Sequence, residues 1–101
     1  MNKFFIQVNE NKEGLYDFII ELINENHMTE RAVIGIRENI DSLNECINMI
    51  KDFPLSPSSI LVEVSFNRRN KYLKLNKLEQ LFVENLNDIL DEKHIEEFII
   101  N

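Results

Sequence analysis

An apolar repeat between residues 37 and 50 constrains the fold more than any other feature of the sequence. Its members alternate in steps of three and four residues, the period of one helix face: Ile40, Leu43, Ile47 and Ile50. The same period groups acidic side chains opposite this face: Glu38, Asp41 and Glu45. Asn39 is a favourable N-cap, and Phe53 before Pro54 predicts the end of the helix. The stretch therefore predicts an acidic recognition helix.

Composition limits the partners and the compartment. The 101 residues predict one domain over 1–101, and a hydrophobic share of 44% is typical of a folded chain. With 18 acidic against 11 basic residues the net charge is −7, which disfavours nucleic acid and anionic membranes and favours a basic protein partner. The single cysteine cannot form an internal disulfide, and no apolar run near the N-terminus is long enough for a signal peptide. A cytoplasmic location is expected.

Strands and helices are predicted to alternate along most of the chain. Patterns of apolar residues predict a strand over 4–8, a helix over 15–23, a strand over 60–66, a helix over 78–90 and a strand over 95–100. Asn76 and Glu79 predict a capping box at the last helix. Strands joined through helices predict an α/β fold with a parallel sheet.

Two segments leave alternatives open from their residues alone. Residues 32–36 have the composition of a buried strand, yet Val33 and Ile36 also extend the following helical pattern backwards. Residues 67–75 permit either a hairpin or a short helix.

Residue types that carry catalysis or bind metals are sparse. His27 and His94 are far apart, so no metal site is expected, and the two glycines form no phosphate-binding loop. Asp41 and Glu45 have the spacing for shared acid–base work, but such catalysis needs carboxyl groups in different, partly buried surroundings, which an exposed helix face does not offer. Cys46 borders the apolar face and is interpreted as a small core residue. No enzymatic activity, cofactor or small-molecule substrate is predicted.

The run from Asn39 to Glu45 resembles the barstar family of intracellular ribonuclease inhibitors. The second helix of that family carries an Asn, a small or apolar residue, an Asp, a small residue, a Leu, a variable residue and an acid, in the order found here. Barstar itself also has a cysteine and a proline at the positions of Cys46 and Pro54. The resemblance implies a three-stranded parallel sheet covered by about four helices, a loop over 29–36 and a short helix within 67–75.

The resemblance also implies a function. The protein would be an inhibitor or immunity protein that blocks the cationic active site of a ribonuclease toxin by mimicking substrate phosphate, with Glu45 as the deepest acid and Asp41 as a second. The implied partner-binding residues are Glu38, Asn39, Asp41, Asn44, Glu45, Asn48 and Asp88. The alternative is a protein interaction module of the same fold with a non-nuclease partner.

Four positions depart from the family pattern and predict a different target. Ile36 and Arg37 stand where the family has a Tyr-Gly pair, and Asn44 stands where barstar has an aromatic residue. Glu45 replaces an Asp and reaches one methylene further. The sequence leaves open the identity of the target, the oligomeric state and whether Gly35, Ile36 and Arg37 form a contact loop.

Overall fold

A mixed five-stranded sheet carries two helices in the described part of the chain. The structure is a computed structural model that describes residues 2–24, 30–55, 60–67 and 74–101. The elements follow the order β1 Asn2–Glu10, β2 Tyr16–Asn24, β3 Glu30–Ile40, α1 Asn44–Asp52, β4 Ile60–Asn67, α2 Lys77–Glu92 and β5 Phe98–Ile100. The strand order is β3-β2-β1-β4-β5. β2 is antiparallel to both of its neighbours, whereas β4 is parallel to β1 and to β5.

The predicted fold class is therefore wrong. The expected three-stranded parallel sheet under about four helices is replaced by five strands and, among the described residues, two helices. Two segments account for the difference: residues 16–23 of the predicted helix and residues 30–36 of the predicted loop belong to strands.

β2 is a strand whose apolar residues have the spacing of a helix. Apolar residues occupy both faces of β2, and together with Leu15, which precedes it, they recur at the helical spacing that led to the incorrect prediction: Phe18, Ile19, Leu22 and Ile23. Every residue of β2 pairs with β1, from Asn2 opposite Asn24 to Glu10 opposite Tyr16. Aromatic and β-branched residues fit such a strand better than a helix.

The turn between β1 and β2 is closed by Asn11 and Gly14. The Asn11 Oδ1 atom accepts hydrogen bonds from the backbone N–H groups of Glu13, at 3.0 Å, and Leu15, at 3.1 Å. The Asn11 N–H group donates to the Leu15 carbonyl at 2.8 Å. Gly14 has φ of 75°, a left-handed conformation that glycine adopts without a Cβ penalty. This turn makes β1 and β2 a hairpin.

β3 confirms the strand alternative for residues 32–36 and contradicts the loop. It pairs antiparallel with β2, and its register shifts twice. One shift lies at Ile34, because Gly35 pairs with Ile20 whereas Val33 pairs with the next residue of β2, Glu21. Such an inserted residue is a β-bulge, which bends an edge strand.

α1 is shorter than the predicted recognition helix. It begins at Asn44 after Leu43 as N-cap, so Asn39 is not a helix cap, and Glu38 and Asp41 lie outside the helix. Grouping those acids by helical phase was therefore incorrect. The predicted end is confirmed: Phe53, with φ of −76° and ψ of 131°, is extended before Pro54.

The C-terminal half matches more of the sequence-based prediction. The strand over 60–66 is confirmed as β4, and the helix over 78–90 lies within α2. The capping box is also confirmed, since Asn76 Oδ1 accepts from the Glu79 N–H at 2.8 Å and Glu79 Oε1 accepts from the Asn76 N–H at 2.9 Å. The terminal strand is shorter than predicted, Phe98–Ile100.

Residues 25–29, 56–59 and 68–73, including His27 and most of the hairpin-or-helix segment, lie outside the described residues.

Both helices pack on one face of the sheet. The core combines alternate residues of β1, β2 and β4 with apolar residues of the helices, chiefly Phe4, Ile6, Val8, Phe18, Ile20, Val62, Val64, Cys46, Ile50, Phe82, Leu86 and Leu90. We call the opposite side the open face; its apolar residues are Phe5, Ile19, Ile23, Val33, Ile36, Leu61 and Ile99, of which Ile23 is buried. Neither described helix combines the length and the apolar character that a membrane crossing requires.

The packing of α1 on β3 predicts the effect of a methyl group at Gly35. A Cβ atom there would lie 2.6 Å from the Met49 Sδ atom, so the side chain would have to move. We expect Gly35→Ala to lower the free energy of unfolding by about 0.5–1.5 kcal/mol, the cost of displacing the flexible Met49 side chain, and by less in a Met49→Ala background, in urea titrations. Gly14→Ala is the control, since its cost of roughly 1–2 kcal/mol arises from φ of 75° and is independent of Met49. An equal cost of Gly35→Ala in both backgrounds would contradict the contact.

Candidate functional site

The chain turns from the end of β3 toward α1 directly after a residue in a left-handed conformation, Asn39, which lies at the second register shift of β3. Asn39 has φ of 55°, which asparagine tolerates better than most residues. Its backbone N–H donates to Asp17 Oδ1 at 2.8 Å, and its side-chain Oδ1 accepts from Asn11 Nδ2 at 2.8 Å. The first hairpin therefore holds the end of β3 and fixes the direction in which the chain continues toward α1.

This turn forms the acidic depression, which we define as the open concavity of about 490 Å³ lined by Leu15, Asn39, Ile40, Asp41, Ser42 and Glu45. Asp41 is exposed in the connection between β3 and α1, and Glu45 is exposed on the first turn of the helix. Two carboxylates and one carboxamide thus surround a single opening. Carboxylates accept hydrogen bonds only, so the opening suits a donor-rich cation such as a guanidinium or an ammonium group.

Glu45 already has one cationic neighbour. The Arg37 Nε atom donates to Glu45 Oε1 at 2.7 Å, and Arg37 Nη1 donates to the Ile36 carbonyl at 2.7 Å. About half of each side chain is exposed in this pair, at 46% for Arg37 and 49% for Glu45. An exposed ion pair contributes only about 0–1 kcal/mol, so solvent or a partner competes for it readily. A carboxylate has two oxygens and can accept from a second cation at the same time.

A second concavity adjoins the acidic depression and differs from it in character. We call it the apolar groove; it measures about 170 Å³, lies between α1 and α2, and is lined by Ser42, Leu43, Asn44, Ile47, Leu78, Leu81, Phe82 and Asn85. Ser42 lines both concavities, and its Oγ atom accepts a hydrogen bond from the Asn44 N–H at 3.1 Å. Leu81 is 54% exposed at the groove. The surface therefore offers apolar area directly beside carboxylates.

The structure brings together part of the predicted set. Asn39, Asp41 and Glu45 share the acidic depression, and Asn44 lines the apolar groove. Glu38, Asn48 and Asp88 are exposed but line neither concavity. Asp41 and Glu45 thus lie at the junction of β3 with α1, instead of along one face of a second helix as the sequence had indicated.

Sequence reasoning missed the other components of this surface. Leu15 arrives from the first hairpin, and Leu81 and Phe82 arrive from α2, so no local motif links them to Asp41. Arg37 was noted only as a departure from the family pattern, and its pairing with Glu45 across two elements leaves no periodic signal. Among the described residues, no group of three or more His, Cys, Asp or Glu side chains is arranged to hold a metal ion.

The buried position of Cys46 predicts that its thiol is unreactive. The side chain is fully buried in the core, and burial raises the thiol pKa to about 12. Because the thiolate is the reactive form, we expect almost no reaction with a disulfide reagent such as DTNB at pH 8 in the folded protein. The urea-unfolded chain is the control and should react promptly. Rapid labelling of the folded protein would contradict the buried assignment.

The comparisons with known proteins do not place this chain in a family. No family description, no curated protein and no solved structure matches it. The resemblance to the barstar family therefore rests on the run from Asn39 to Glu45 with Cys46 and Pro54, since the fold that it implied is not the fold of this chain. In this fold the first part of that run ends a strand and turns, and only Asn44 and Glu45 belong to a helix.

Proposed function

We propose that this protein binds a basic protein through the acidic depression and covers a cationic active site on it. A ribonuclease toxin is the target class that the motif favours, which would make the chain an inhibitor of the immunity type. The observation that carries the proposal is the placement of Asp41 and Glu45 around one concave opening. The net charge of −7 supports the same kind of partner.

Such a complex would be held together by complementary charges and hydrogen bonds between the two surfaces. A ribonuclease holds the phosphate groups of RNA with Arg, Lys and His side chains, and carboxylates can take the positions of the phosphate oxygens. Asp41 extends from a backbone held by the Asn39 hydrogen bonds, and Glu45 extends from a helix. Rigid supports reduce the conformational entropy that is lost on binding. Because the two acids surround a depression, the cationic surface that they bind would be flat or convex.

The apolar groove supplies the other half of a stable interface. Protein interfaces combine an apolar centre with a polar rim, and Leu81 and Ile47 provide apolar area beside the acids. The groove and the depression meet at Ser42, so one partner surface would contact both. We expect the partner to present an apolar side chain next to its cationic cluster.

The experiment uses a panel of small basic ribonucleases, together with any that is encoded beside the gene for this chain. We expect the variant Asp41→Asn with Glu45→Gln to weaken inhibition by at least about 100-fold, since truncating hydrogen-bonded charges in an interface costs several kcal/mol. The measurements are RNA cleavage at increasing inhibitor concentration and the association and dissociation rates of the complex.

The matched control is Glu84→Gln with Glu92→Gln on α2, which removes the same net charge from exposed positions that line neither concavity. Both variants should slow association alike through weaker steering, whereas only the first should accelerate dissociation. Glu79 is unsuitable as a control because it is buried in the capping box. Equal effects of the two variants on dissociation would overturn the proposed surface. Binding without inhibition of cleavage would favour the alternative, an interaction module.

A further inference from the structure

β3 is an outer strand of the sheet. One edge of its backbone pairs with no described strand, and exposed apolar side chains lie on its open face. Within the described part of the chain β3 pairs with β2 alone. It extends over 11 residues, and its Val33 and Ile36 side chains are 61% and 48% exposed. An outer strand of this length presents backbone N–H and C=O groups that another strand can pair with.

The β-bulge at Ile34 places Val33 and Ile36 on the same face. Val33 pairs with Glu21 and Ile36 with Ile19, and these two residues of β2 are two positions apart, so they share the open face. Arg31 pairs with Ile23 on that face as well. The second register shift follows Arg37, which pairs with Phe18: residues 38 and 39 both lie opposite Asp17, a residue of the open face, so Glu38 falls on the open face.

Along the open face β3 therefore presents a cation, two apolar residues and an anion, in that order. The order is complementary to itself when two copies run antiparallel. With the two-fold axis at the bulge, Arg31 lies opposite Glu38 of the second copy, and Val33 lies opposite Ile36. Each pair occurs twice, and opposite charges and β-branched pairs stabilise neighbouring antiparallel strands.

We propose that β3 pairs with β3 of a second copy of this chain and joins the two sheets into one. The contact would be isologous, as in most homodimers. The charged residues of β3 sum to zero, since Glu30 and Glu38 balance Arg31 and Arg37, although the whole chain carries −7. Asn39 and Ile40 at the C-terminal end of β3 line the acidic depression, but the four residues of the proposed contact, Arg31, Val33, Ile36 and Glu38, do not line it.

In many proteins, charges and bulges on an outer strand prevent pairing with another strand. The oligomeric state of the chain in solution therefore tests the proposal. We expect a dimer in multi-angle light scattering and sedimentation velocity, at physiological salt, for the unmodified chain. Arg31→Glu and Glu38→Arg alone should each weaken dimerisation by about tenfold or more, because the symmetry places every like-charge pair twice. The double variant Arg31→Glu with Glu38→Arg should restore the dimer.

Rescue by the double variant separates the proposed contact from effects within one chain. Arg31 Nη1 lies 3.7 Å from Glu21 Oε2 in the same chain, and the double variant does not restore that pair. Glu84→Arg on α2 is the control with the same charge change as Glu38→Arg, and it should leave the dimer intact. Val33→Lys, checked for folding by circular dichroism, should give a monomer. A monomeric unmodified chain, a dimer insensitive to Val33→Lys, or a double variant as weak as the single ones would overturn the proposal.

Discussion

The pairing of β1 on both of its sides is the constraint on which the rest of the structure depends. β1 takes β2 through a hairpin and β4 through parallel pairing, and its buried residues Phe4, Ile6 and Val8 support both helices. The hairpin in turn supplies Asn11 and Asp17, which hold Asn39 at the end of β3. The position of Asp41 and Glu45 thus traces back to a turn near the N-terminus. A surface assembled this way is more rigid than a loop alone would be.

Each face of the molecule then offers a different kind of contact. The helix side combines carboxylates with the apolar groove, a combination that suits a basic protein. The open face has ion pairs within the sheet, from Lys3 to Glu63 at 3.8 Å and from Arg31 to Glu21 at 3.7 Å, between its apolar residues. Charges that are paired within the open face repel a second copy of the chain less than unpaired acids do. We therefore expect the excess negative charge to affect partner binding most on the helix side.

An element was predicted correctly where its local sequence patterns agreed with one another, and incorrectly where they conflicted. β4 and α2 were predicted because alternation or helical period agreed with their flanking signals, such as Asn76 and Glu79. β2 was missed because Ile19 and Ile23 add apolar residues to its second face, and the combined pattern has helical spacing. β3 was predicted locally by residues 32–36, but the resemblance to the barstar family overrode that signal. Asn11 and Gly14, which close the hairpin, were the local signs that favoured the correct result.

The candidate site was predicted only in part, for a related reason. Asp41 and Glu45 were identified through a motif, yet a helix that begins at Asn44 cannot group them by phase. They meet because a strand ends and turns, which depends on hydrogen bonds to Asn39 from residues far away in the sequence. Leu15 and Leu81 join them through tertiary packing alone. Periodicity reports neighbours along one element and contains no information on these contacts.

The shared strand β1 has a consequence for how the chain can be divided. The three N-terminal strands form a continuous antiparallel unit over residues 2–40, apart from residues 25–29, which are not described, whereas β4 and the helices supply most of the cover for its apolar face. A fragment that ends after β3 would expose Phe4, Ile6, Phe18 and Ile20 to water, and a fragment that begins at α1 would lose one of the two strands that β4 pairs with. Neither part would keep the whole core. We therefore expect the described strands and helices to unfold together, since the N-terminal strand contributes to both halves.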